Sequence, residues 1–526
     1  MSKKIPISAT ILCKNSEKYL PQVLDSLRDF DEVLLLDNGS TDNSLTIAAG
    51  YPNCRIEQHE FLGFGAMKNL AAQLARNDWI FSIDSDEIPD TELLNAISAL
   101  DLDNPKQVFC LERLNHYRGR AIKACTWYPD YLTRLYHRRH TGFSDNYVHE
   151  RLLIQSDSQI QSLPGLLLHY SSAGVKDLLD KSQFYTDLFA KDRQYRQRTG
   201  AWQALTHGLF AWIKNYLFKR GFLYGRDGFV IANNNAFNSY LKYIKLAEAN
   251  QALPISLVIT TYNRPDALSR VLESALQQSL PPQEILIADD GSDAQTAAAI
   301  QAFAARTAIP IRHIWQPDEG FRLAQSRNRA IAAAHSDYIV IIDGDLILHP
   351  HFLQDHQYAA KKGLLIQGSR VLLNPTLSQK ILNTPIQAPF SLPFYAQGIL
   401  KRHSALRFPS LMRASLKQEN QLLKNIKSCN MGFFRADALS INGFNNDFVG
   451  WGREDSEFVA RLYHQGIKRA NLRFGGIAYH LWHPEADRAG LAQNDALLAA
   501  TLSEKKTWCE NGINAFLLPQ DEEGHS

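Results

Sequence analysis

The chain alternates between short continuous runs of apolar residues and segments in which apolar residues recur every three or four positions. In its first part the continuous runs predict strands at 7–13, 33–36 and 79–83, with a weaker strand at 55–58. The helical spacing predicts helices at 18–30 and 66–76. Buried strands that alternate with helices are typical of a parallel sheet covered on both faces, so an α/β fold is expected.

The same order of elements occurs a second time in the latter half. Each half has an apolar strand followed by an Asp-x-Gly-Ser turn, and a later apolar strand that ends in Asp-x-Asp. The segments with the turn and the acidic pair lie at 37–40 and 80–86 in the first half, and at 289–292 and 339–345 in the second. The offset is 252 for the turns (289 minus 37) and 259 for the acidic pairs (339 minus 80), which loop-sized insertions explain. One Asp-x-Asp is a weak signal, but two at the same place in a repeated block indicate related domains.

The length of 526 residues is more than one ordinary core accommodates, which also predicts two domains. A helical run ends near 247–254, where a proline precedes the first strand of the second block. The content of 45% hydrophobic and 21% charged residues is that of a globular chain. The predicted organisation is a first domain at 1–175, a basic aromatic helical segment with a linker at 176–250, a second domain at 251–515 and a flexible tail at 516–526.

The charges nearly balance, since 56 Lys and Arg accompany 54 Asp and Glu for a net charge of +2. This balance argues against a nucleic-acid partner for the whole protein. Apolar stretches are shorter than the roughly 18 residues that a membrane-spanning helix needs, and the start of the chain does not resemble a signal peptide. A cytoplasmic location, or a peripheral one on a membrane, is therefore expected. The six cysteines have no C-x-x-C spacing and are expected to be reduced thiols.

The segment at 181–226 differs in charge from the rest of the chain. It has nine Lys and Arg against two Asp, interleaved with aromatic residues. One interpretation is a set of interfacial helices that meet an anionic membrane. The other is a helical cap whose aromatic side chains pack on the sheet or on the other domain, and the sequence leaves both open.

Acidic residues stand at the carboxyl ends of the predicted strands, where open α/β sheets bind their ligands. They are Asp37, Asp84, Asp86, Asp289, Asp290, Asp343 and Asp345. Two aspartates at i and i+2 just past a strand suit a hard divalent cation shared with phosphate oxygens. A solvated turn is the alternative, and the repetition argues against it. Neither half has the glycine pattern of a P-loop or a Rossmann site, which leaves a nucleotide site built from an acidic turn and a metal-binding acidic pair.

This constellation resembles the family 2 glycosyltransferases of GT-A fold, and the resemblance covers most of both halves. It implies two GT-A domains with mixed, mainly parallel sheets and a helical segment between them. It also implies that the acidic turn contacts the nucleoside of a nucleotide sugar, with UDP-sugars the expected donors, and that the Asp-x-Asp holds the ribose and a Mn²⁺ or Mg²⁺ ion on the diphosphate. The nucleotide-sugar-binding residues so implied are Asn15, Asp37, Lys68, Asp84, Asn263, Asp289, Asp290, Arg327 and Asp343.

Each half also has a basic residue followed by asparagine near the start of a helix, at 68–69 and 327–328. By the resemblance these cations lie beside the donor, where a positive charge near the diphosphate makes physical sense. The alternative is an ordinary charge on a helix surface. The first half departs from the family pattern at Asn38, where a second aspartate such as Asp290 is more usual.

The segment FVGWGREDSE at 448–457, together with KSCNMGFFR at 427–435, is similar to the acceptor segment of the chondroitin-polymerase and β-galactosyltransferase type. That similarity implies that Asp455 is the catalytic base and that Glu454 beside it helps to hold the acceptor. An acidic pair that only caps a helix is the alternative.

The first half has a shorter analogous segment, YVHE at 147–150, followed by HYS at 169–171. It resembles the bacterial lipopolysaccharide-core β-glucosyltransferases, which share the compact domain, the CKN-type first strand and basic aromatic C-terminal helices. The resemblance implies that Glu150 is the base. A salt bridge with Arg151 or Arg134 is the alternative role of this glutamate.

Three histidines in later segments are candidate metal ligands, one in HYS at 169–171 and two in AYHLWHP at 478–484. By the same resemblances Asp86 is grouped with His169, and Asp345 with His480 or His483. A lone histidine is more often structural, so these assignments depend on the histidines lying close to the aspartates.

The chemistry implied is a single displacement that inverts the sugar carbon. An acceptor hydroxyl attacks while the nucleoside diphosphate leaves, so the enzyme needs a metal at the leaving group and a carboxylate that takes the proton. The prediction is a bifunctional inverting glycosyltransferase that moves hexosyl units to a bacterial surface glycan such as lipopolysaccharide core, near the cytoplasmic face of the inner membrane. The alternatives are a two-site glycan polymerase and a protein with one active domain and one non-catalytic carbohydrate-binding domain.

Overall fold

The structure is a computed structural model that describes residues 4–144, 150–251, 253–421, 423–484 and 490–517. The chain divides into two compact units, which we call the first and the second unit. The first comprises Met1–Gln194 and Arg198–Asn250, and the second comprises Tyr195–Gln197 and Gln251–Ser526. The helical segment predicted at 176–250 is therefore grouped almost entirely with the first unit. From residue 518 onward, the predicted tail lies outside the described residues.

Nine strands of the first unit form one mixed sheet. They are β1 (Ile5–Cys13), β2 (Phe30–Asp37), β3 (Cys54–Gln58), β4 (Trp79–Asp84), β5 (Glu87–Pro89), β6 (Gln107–Tyr117), β7 (Arg120–Ala121), β8 (Tyr131–His137) and β9 (Gln159–Ser172). The order is β3-β2-β1-β4-β8-β6-β9-β5, and β7 pairs with β6. The run from β3 to β4 is parallel, and β8 then pairs antiparallel with β4. The four strands predicted in this region are confirmed.

Four helices of the first unit alternate with its strands, and three more follow the last strand along the chain. They are α1 (Leu20–Ser26), α2 (Ser44–Ala49), α3 (Phe64–Leu74), α4 (Thr91–Ser98), α5 (Val175–Arg193), α6 (Ala201–Ile213) and α7 (Gly225–Ala249), with a π-helical turn at Lys214–Phe218 and a 3-10 turn at Gly221–Tyr224. The helix predicted at 18–30 is too long at both ends. It ends at Ser26 because Phe30 already belongs to β2, where it pairs with Ile5 of β1.

The second unit repeats the pattern with two sheets. Its strands are β10 (Ile255–Thr261), β11 (Glu284–Asp289), β12 (Ile311–Trp315), β13 (Tyr338–Asp343), β14 (Leu346–Leu348), β15 (Leu364–Gln367), β16 (Ser369–Leu372), β17 (Gln418–Glu419), β18 (Asn430–Phe434), β19 (Lys468–Asn471) and β20 (Ile477–His480). The larger sheet has the order β12-β11-β10-β13-β18-β15-β19-β17, and the smaller β14-β20-β16. The run from β12 to β13 is parallel, as from β3 to β4.

The helices of the second unit lie between and around these strands. They are α8 (Pro265–Leu276), α9 (Ala294–Ala304), α10 (Leu323–Ala333), α11 (Phe352–Ala359), α12 (Pro375–Leu382), α13 (Pro409–Ser415), α14 (Arg435–Leu439), α15 (Glu454–His464) and α16 (Leu491–Ser503), with 3-10 turns at Arg402–Ala405 and Ile513–Phe516. Two separate apolar clusters lie on the faces of each larger sheet. Burial on both faces explains the continuous apolar runs of the central strands.

Strand register brings the repeated motifs to one edge of each sheet. The last two residues of β1 pair with Asp84 of β4 and Asp37 of β2, and the last two residues of β10 pair with Asp343 of β13 and Asp289 of β11. The acidic turn and the acidic pair therefore meet at the carboxyl ends of neighbouring parallel strands in both units. This arrangement confirms the predicted fold class.

Two further expectations concern the whole chain. In the described residues, every helix is too short or too polar to cross a membrane. All six cysteines are free thiols, and four of them are buried.

Candidate active sites

An asparagine just after the first strand holds the Asp-x-Gly-Ser turn in both units. Asn15 and Asn263 have left-handed backbones, with φ of 52° and 48°, a conformation that asparagine tolerates better than most residues. The Asn15 side chain accepts a hydrogen bond from the amide of Thr41 at 2.8 Å, and Asn263 accepts one from the amide of Asp293 at 2.9 Å. The backbone amides of both asparagines donate to the serine of the turn, at 3.0 and 2.9 Å. These two residues shape the predicted nucleoside-binding turn.

Asp37 and Asp289 are fully buried under the turns. Asp37 accepts a hydrogen bond from the amide of Ser40 at 3.2 Å, and Asp289 accepts one from the amide of Ser292 at 2.8 Å. Burial alone would raise the pKa of Asp289, but His313, 2.7 Å from its carboxylate, and Ser292 outweigh burial and lower that pKa. In this structure both carboxylates stabilise the turn, and their predicted contact with a nucleoside stays a prediction.

The two turns differ at the next residue. Asp290 is buried and accepts hydrogen bonds from the Gln316 side chain at 2.6 Å and the Arg322 amide at 2.8 Å. Burial raises the pKa of Asp290 to about 6. The matching Asn38 is only partly buried, so the second unit alone has a buried carboxyl group at this position.

Lys68, on α3, connects two carboxylates of the first unit. Its side chain is 4% exposed, which excludes an ordinary helix-surface charge. Its Nζ lies 2.9 Å from Glu150 and 3.3 Å from Asp84. Glu150 therefore pairs with Lys68, and among the described residues it forms no ion pair with Arg151 or Arg134. The other predicted members of this segment, 147–149, lie outside the described residues.

Asp84 is the most strongly perturbed carboxyl group of the first site. Arg134 donates a hydrogen bond to one of its oxygens at 3.1 Å, and Lys68 lies near the other. Burial alone would raise the pKa of Asp84, but the charges of Arg134 and Lys68 outweigh it and hold that pKa well below its usual range. Asp84 is therefore ionised at neutral pH.

The predicted metal-binding pair of the first unit, Asp86 and His169, lies together at 3.4 Å. Nδ1 of His169 is 2.6 Å from Oδ1 of Asn115, whose amide nitrogen donates elsewhere, so Nδ1 carries a proton and Nε2 faces Asp86. That tautomer suits metal ligation. Lys181 of α5 lies 3.9 Å from Asp86. The two groups fit a divalent cation, although a lysine stands where a further ligand would be useful.

Arg327, on α10, has in the second unit the place that Lys68 has in the first. It is fully buried. Its Nη1 lies 3.2 Å from Glu454, its Nη2 lies 3.5 Å from Asp343, and Nη2 also donates to Ser428 at 2.9 Å. In both units a buried cation thus joins the first aspartate of the acidic pair to a glutamate from a later segment of the chain.

Glu454 and Asp455 begin α15 but face different surroundings. Glu454 is buried, and burial followed by the charge of Asp455 raises the pKa of Glu454 to about 7 in spite of Arg327. One carboxylate oxygen of Asp455 accepts a hydrogen bond from the Ser428 amide at 3.3 Å. The loop before them turns through Gly450 and Gly452, with φ of 80° and 100°, values that favour glycine.

Asp345, His480 and His483 form the one group in the described residues with three possible metal ligands close together. Their ligand atoms lie within 4.8 Å of one another. Oδ1 of Asp345 is buried without a hydrogen-bond partner, and Arg264 lies 3.5 Å from the other oxygen. Burial raises the pKa of Asp345 and lowers that of His480. Two imidazoles and an orphaned carboxylate oxygen fit a divalent cation.

A cavity of about 560 Å³ connects the predicted groups of the second unit. Its lining includes Asp290, Asp343, Glu454 and the group of three possible metal ligands, and Asp455 is not among the described residues that line it. The volume is in the range of small-ligand sites. One pocket therefore brings together the turn, the acidic pair and Glu454.

The asparagine of each basic-Asn pair holds the chain that leads to the glutamate. Asn69 donates to the carbonyl of Phe143 at 2.9 Å and accepts from its amide at 2.8 Å. Asn328 makes the same two bonds with Phe444, at 2.7 and 2.8 Å. The same backbone clamp therefore lies seven residues before Glu150 in the first unit and ten residues before Glu454 in the second.

The sequence did not single out several side chains of these sites for a role in them. In the first unit they come from α5, since burial and the nearby charges of Asp84, Glu150 and Asp86 raise the pKa of Tyr185, and Lys181 lies on the same helix. Both lie in the basic aromatic segment at 181–226, but nothing in that pattern indicated a contact with this site. Arg264 follows Asn263 directly, so its place after the first strand was the available signal.

Two family models match the chain. The model described as "Glycosyl transferase family 2" matches residues 8–159 and 256–435, which together are more than half of the chain. The model described as "N-terminal domain of galactosyltransferase" matches residues 414–484 and includes the predicted acceptor segment.

Curated relatives match about half of the chain. An uncharacterized glycosyltransferase, RP128 of Rickettsia prowazekii (strain Madrid E), is 27% identical over 269 residues, which are 49% of this chain and 91% of that protein. Chondroitin synthase of Escherichia coli is 28% identical over 251 residues, 45% of this chain and 36% of the synthase. Validoxylamine A glucosyltransferase of Streptomyces hygroscopicus subsp. limoneus is 27% identical over 259 residues, 46% of this chain and 55% of that enzyme.

Solved structures also match part of the chain. S. aureus TarS 1–349 in complex with UDP is 14% identical with a TM-score of 0.32, over 47% of this chain and 65% of that one. A mannosyltransferase from Pyrobaculum calidifontis in complex with GDP-Man and Mn²⁺ is 15% identical with a TM-score of 0.32, over 49% of this chain and 65% of that one. Since the family model covers both copies of the repeated motifs and more than half of the chain, the protein belongs to glycosyl transferase family 2.

Proposed function

We propose that the protein is a bifunctional inverting glycosyltransferase with one active site in each unit. The observation that carries this proposal is the repeated charge arrangement. Lys68 joins Asp84 to Glu150, and Arg327 joins Asp343 to Glu454. Burying charged groups is costly unless they are paired, so two such clusters at the ligand-binding edges of two sheets favour two functional sites.

In each proposed reaction the base takes the proton of an acceptor hydroxyl. The hydroxyl oxygen forms a bond to the anomeric carbon as the bond from that carbon to the diphosphate breaks, and the nucleoside diphosphate leaves with the electron pair. Lys68 and Arg327 hold the base beside the donor and bring positive charge to the site. Asp86 with His169, or Asp345 with His480 and His483, would hold a Mn²⁺ or Mg²⁺ ion that acts as a Lewis acid at the diphosphate.

The base of the first site is Glu150 in this proposal, and two carboxylates compete for the role in the second. The family resemblance assigns it to Asp455, whereas the equivalence of Arg327 and Lys68 favours Glu454. A general base must be deprotonated to act. If Glu454 is the base, kcat/KM of the second transfer rises as the pH passes through about 7, where its carboxyl group loses its proton.

A pH profile of two variants separates the candidates. If Glu454→Gln loses most of the second-transfer activity, and kcat/KM of the remainder no longer rises near pH 7, the base is Glu454. If Asp455→Asn loses most of this activity, and kcat/KM of the remainder still rises near pH 7, the base is Asp455. Glu454 then helps to hold the acceptor.

The proposed donors are UDP-hexoses or their N-acetyl forms, and the proposed acceptor is a bacterial surface glycan such as lipopolysaccharide core, reached at the cytoplasmic face of the inner membrane. Chondroitin synthase and validoxylamine A glucosyltransferase are relatives with different acceptors by name, so the family leaves the acceptor open. A panel of UDP- and GDP-sugars, with and without Mn²⁺, tests the donor class by hydrolysis and transfer.

The two-site proposal is tested by removing one site at a time. Asp86→Ala should abolish one transfer and Asp345→Ala the other, each with its own donor. If either variant retains every transfer of the unaltered protein, the proposed site in that unit is wrong and a non-catalytic domain is favoured. Long products from one acceptor that require both aspartates would identify the alternative, a two-site polymerase.

A further inference from the structure

Helix α6 and the π-helical turn after it place small residues inward and large apolar residues outward. Ala204, Gly208 and Asn215 are buried. A side-chain carbon added at Gly208 would lie 3.2 Å from Cβ of Tyr240 and 3.3 Å from the carbonyl oxygen of Ala236, so α6 packs closely on α7. The close approach leaves most large apolar side chains of α6 outside this contact, while Tyr216 of the π-helical turn packs on Phe229 of α7 with ring centroids 5.8 Å apart.

The outward face of this segment is apolar over several helical turns. Six of its large side chains are at least half exposed, namely Trp202 (80%), Leu205 (53%), Leu209 (60%), Phe210 (63%), Leu217 (50%) and Phe218 (74%). We call these six residues the α6 surface. Soluble monomers seldom expose contiguous apolar patches beyond a few hundred Å², and larger ones mark binding sites for proteins or membranes.

Positive charge accompanies the α6 surface. Residues 193–226 contain seven Lys and Arg and no Asp or Glu. Of these, Lys214, Lys219, Arg220 and Arg226 are exposed, and none of them forms an ion pair within the part of the chain that the structure describes. An apolar face with aromatic residues and a basic border is complementary to the boundary between acyl chains and anionic headgroups.

We propose that the α6 surface docks the protein onto an anionic lipid bilayer, with α6 lying in the plane of the interface. Helix α6 has 13 residues and the π-helical turn that continues it has five, together about 27 Å in length, whereas a hydrocarbon core is about 30 Å thick. It therefore lies on the membrane and does not cross it. Between the two interpretations left open by the sequence, the exposure of these side chains favours the membrane over a packed cap.

The docking surface is connected to the first site through helices of the same unit. α7 packs against both α5 and α6, and α5 carries Lys181, which lies 3.9 Å from Asp86. A docked first unit would hold its site near acceptors embedded in the bilayer. This consequence rests on the proposed function, while the docking itself does not.

The docking is tested with the full chain and lipid vesicles. Sedimentation with vesicles of phosphatidylcholine and phosphatidylglycerol at 3:1 should bring down the protein at low salt, while pure phosphatidylcholine vesicles should bind it much more weakly. Added salt should reduce binding, because it screens the basic residues. Absence of binding to the anionic vesicles at low salt would overturn the proposal.

Matched variants locate the surface. Phe210→Ser with Phe218→Ser should reduce vesicle binding at least about tenfold, because it removes buried apolar area at the interface. Tyr131→Ser with Ile160→Ser is the control, since these side chains of the same unit are 59% and 57% exposed and lie outside the α6 surface. Equal binding by the two double variants would show that another surface docks.

A second pair of variants tests the charge. Lys214→Glu with Lys219→Glu should weaken binding by roughly fivefold or more for each lysine. Lys4→Glu with Lys106→Glu is the control, since Lys4 and Lys106 directly precede β1 and β6 at the edge of the sheet opposite the site. Unaltered melting temperatures confirm that each variant is folded.

The alternative to membrane docking is that the α6 surface binds a second copy of the chain. If the protein is a dimer in solution by light scattering, and Phe210→Ser with Phe218→Ser makes it monomeric without changing vesicle binding, the α6 surface is a self-association face and the proposal fails. Failure of docking is distinguishable from failure of the proposed function, because donor hydrolysis is measured without lipid.

Discussion

The two units agree on one side of their candidate sites and differ on the other. In both, a buried cation within a helix lies between a glutamate and the first aspartate of the acidic pair, and the asparagine after it clamps the backbone of a phenylalanine. Around the second aspartate the first unit has one histidine, His169, with Lys181, whereas the second unit has two histidines, His480 and His483, with Arg264. The shared side serves the proposed proton transfer, and the side that differs serves the proposed metal.

The pKa of the second aspartate shifts in opposite directions in the two sites. Burial alone would raise the pKa of Asp86, but His169 and Lys181 outweigh it and lower that pKa. In the second unit burial prevails and raises the pKa of Asp345. Asp86 therefore has one histidine and a lysine beside it, whereas Asp345 has two histidines and Arg264 beside it and keeps one buried oxygen without a hydrogen-bond partner. We expect the second transfer to depend more on metal.

The largest expected effect tests the shared glutamate. Glu150→Gln and Glu454→Gln should each lower kcat of one transfer by about 10²- to 10⁴-fold, because a base that cannot accept a proton is lost, and leave the other transfer unchanged. Steady-state rates with separate donors measure both. Glu92→Gln and Glu504→Gln, at exposed positions, are the controls. Full second-site activity in Glu454→Gln would end the equivalence of the two glutamates.

The bridging cations are expected to have the next largest effect. Lys68→Met and Arg327→Met should each reduce kcat by about 10²-fold, because the base and the developing charge lose a preorganised cation. Lys68→Arg and Arg327→Lys should recover part of the activity, with incomplete recovery since the two cations differ in shape. If the methionine variants are as active as the unaltered protein, Lys68 and Arg327 have only a structural role.

Metal titration tests the side that differs. His483→Ala should raise the Mn²⁺ concentration that gives half-maximal second transfer by about 10- to 100-fold and leave the first transfer unchanged. His403→Ala, at an exposed histidine of the same unit, is the control. Lys181→Ala should lower the Mn²⁺ requirement of the first transfer, because a competing positive charge is removed. Equal Mn²⁺ requirements in all these proteins would contradict the assigned difference.

The smallest effects are expected at Asn69 and Asn328, and they concern the stability of the fold. Asn328 is fully buried and Asn69 only partly, so Asn328→Ala should lower the free energy of unfolding by about 1–3 kcal/mol and Asn69→Ala by less. Urea denaturation followed by fluorescence measures both. A larger loss for Asn69→Ala would show that its loop depends more on this clamp than its burial indicates.

The repeated acidic motifs were predictable because local sequence decides where a strand ends. Asp37, Asp84 and their counterparts follow continuous apolar runs, and strands of this kind pair in parallel with their carboxyl ends at one edge. Lys68 and Arg327 were predicted from the sequence to lie beside the donor, but the pattern did not show that their side chains are buried. Whether a lysine on a short helix faces water or carboxylates depends on what the rest of the chain places opposite it.

By itself the sequence determined the α/β class, the duplication, the family and the edge of each sheet where the sites lie. Only the tertiary structure decided which side chains meet, because these contacts join residues far apart, such as Arg327 and Glu454 at a separation of 127 positions. It also decided that Glu454 lines the cavity and pairs with Arg327, while Asp455 accepts a hydrogen bond from the Ser428 amide and is not among the described lining residues. Successive residues on a helix point about 100° apart, so an acidic pair in a motif does not say which carboxylate the fold turns inward.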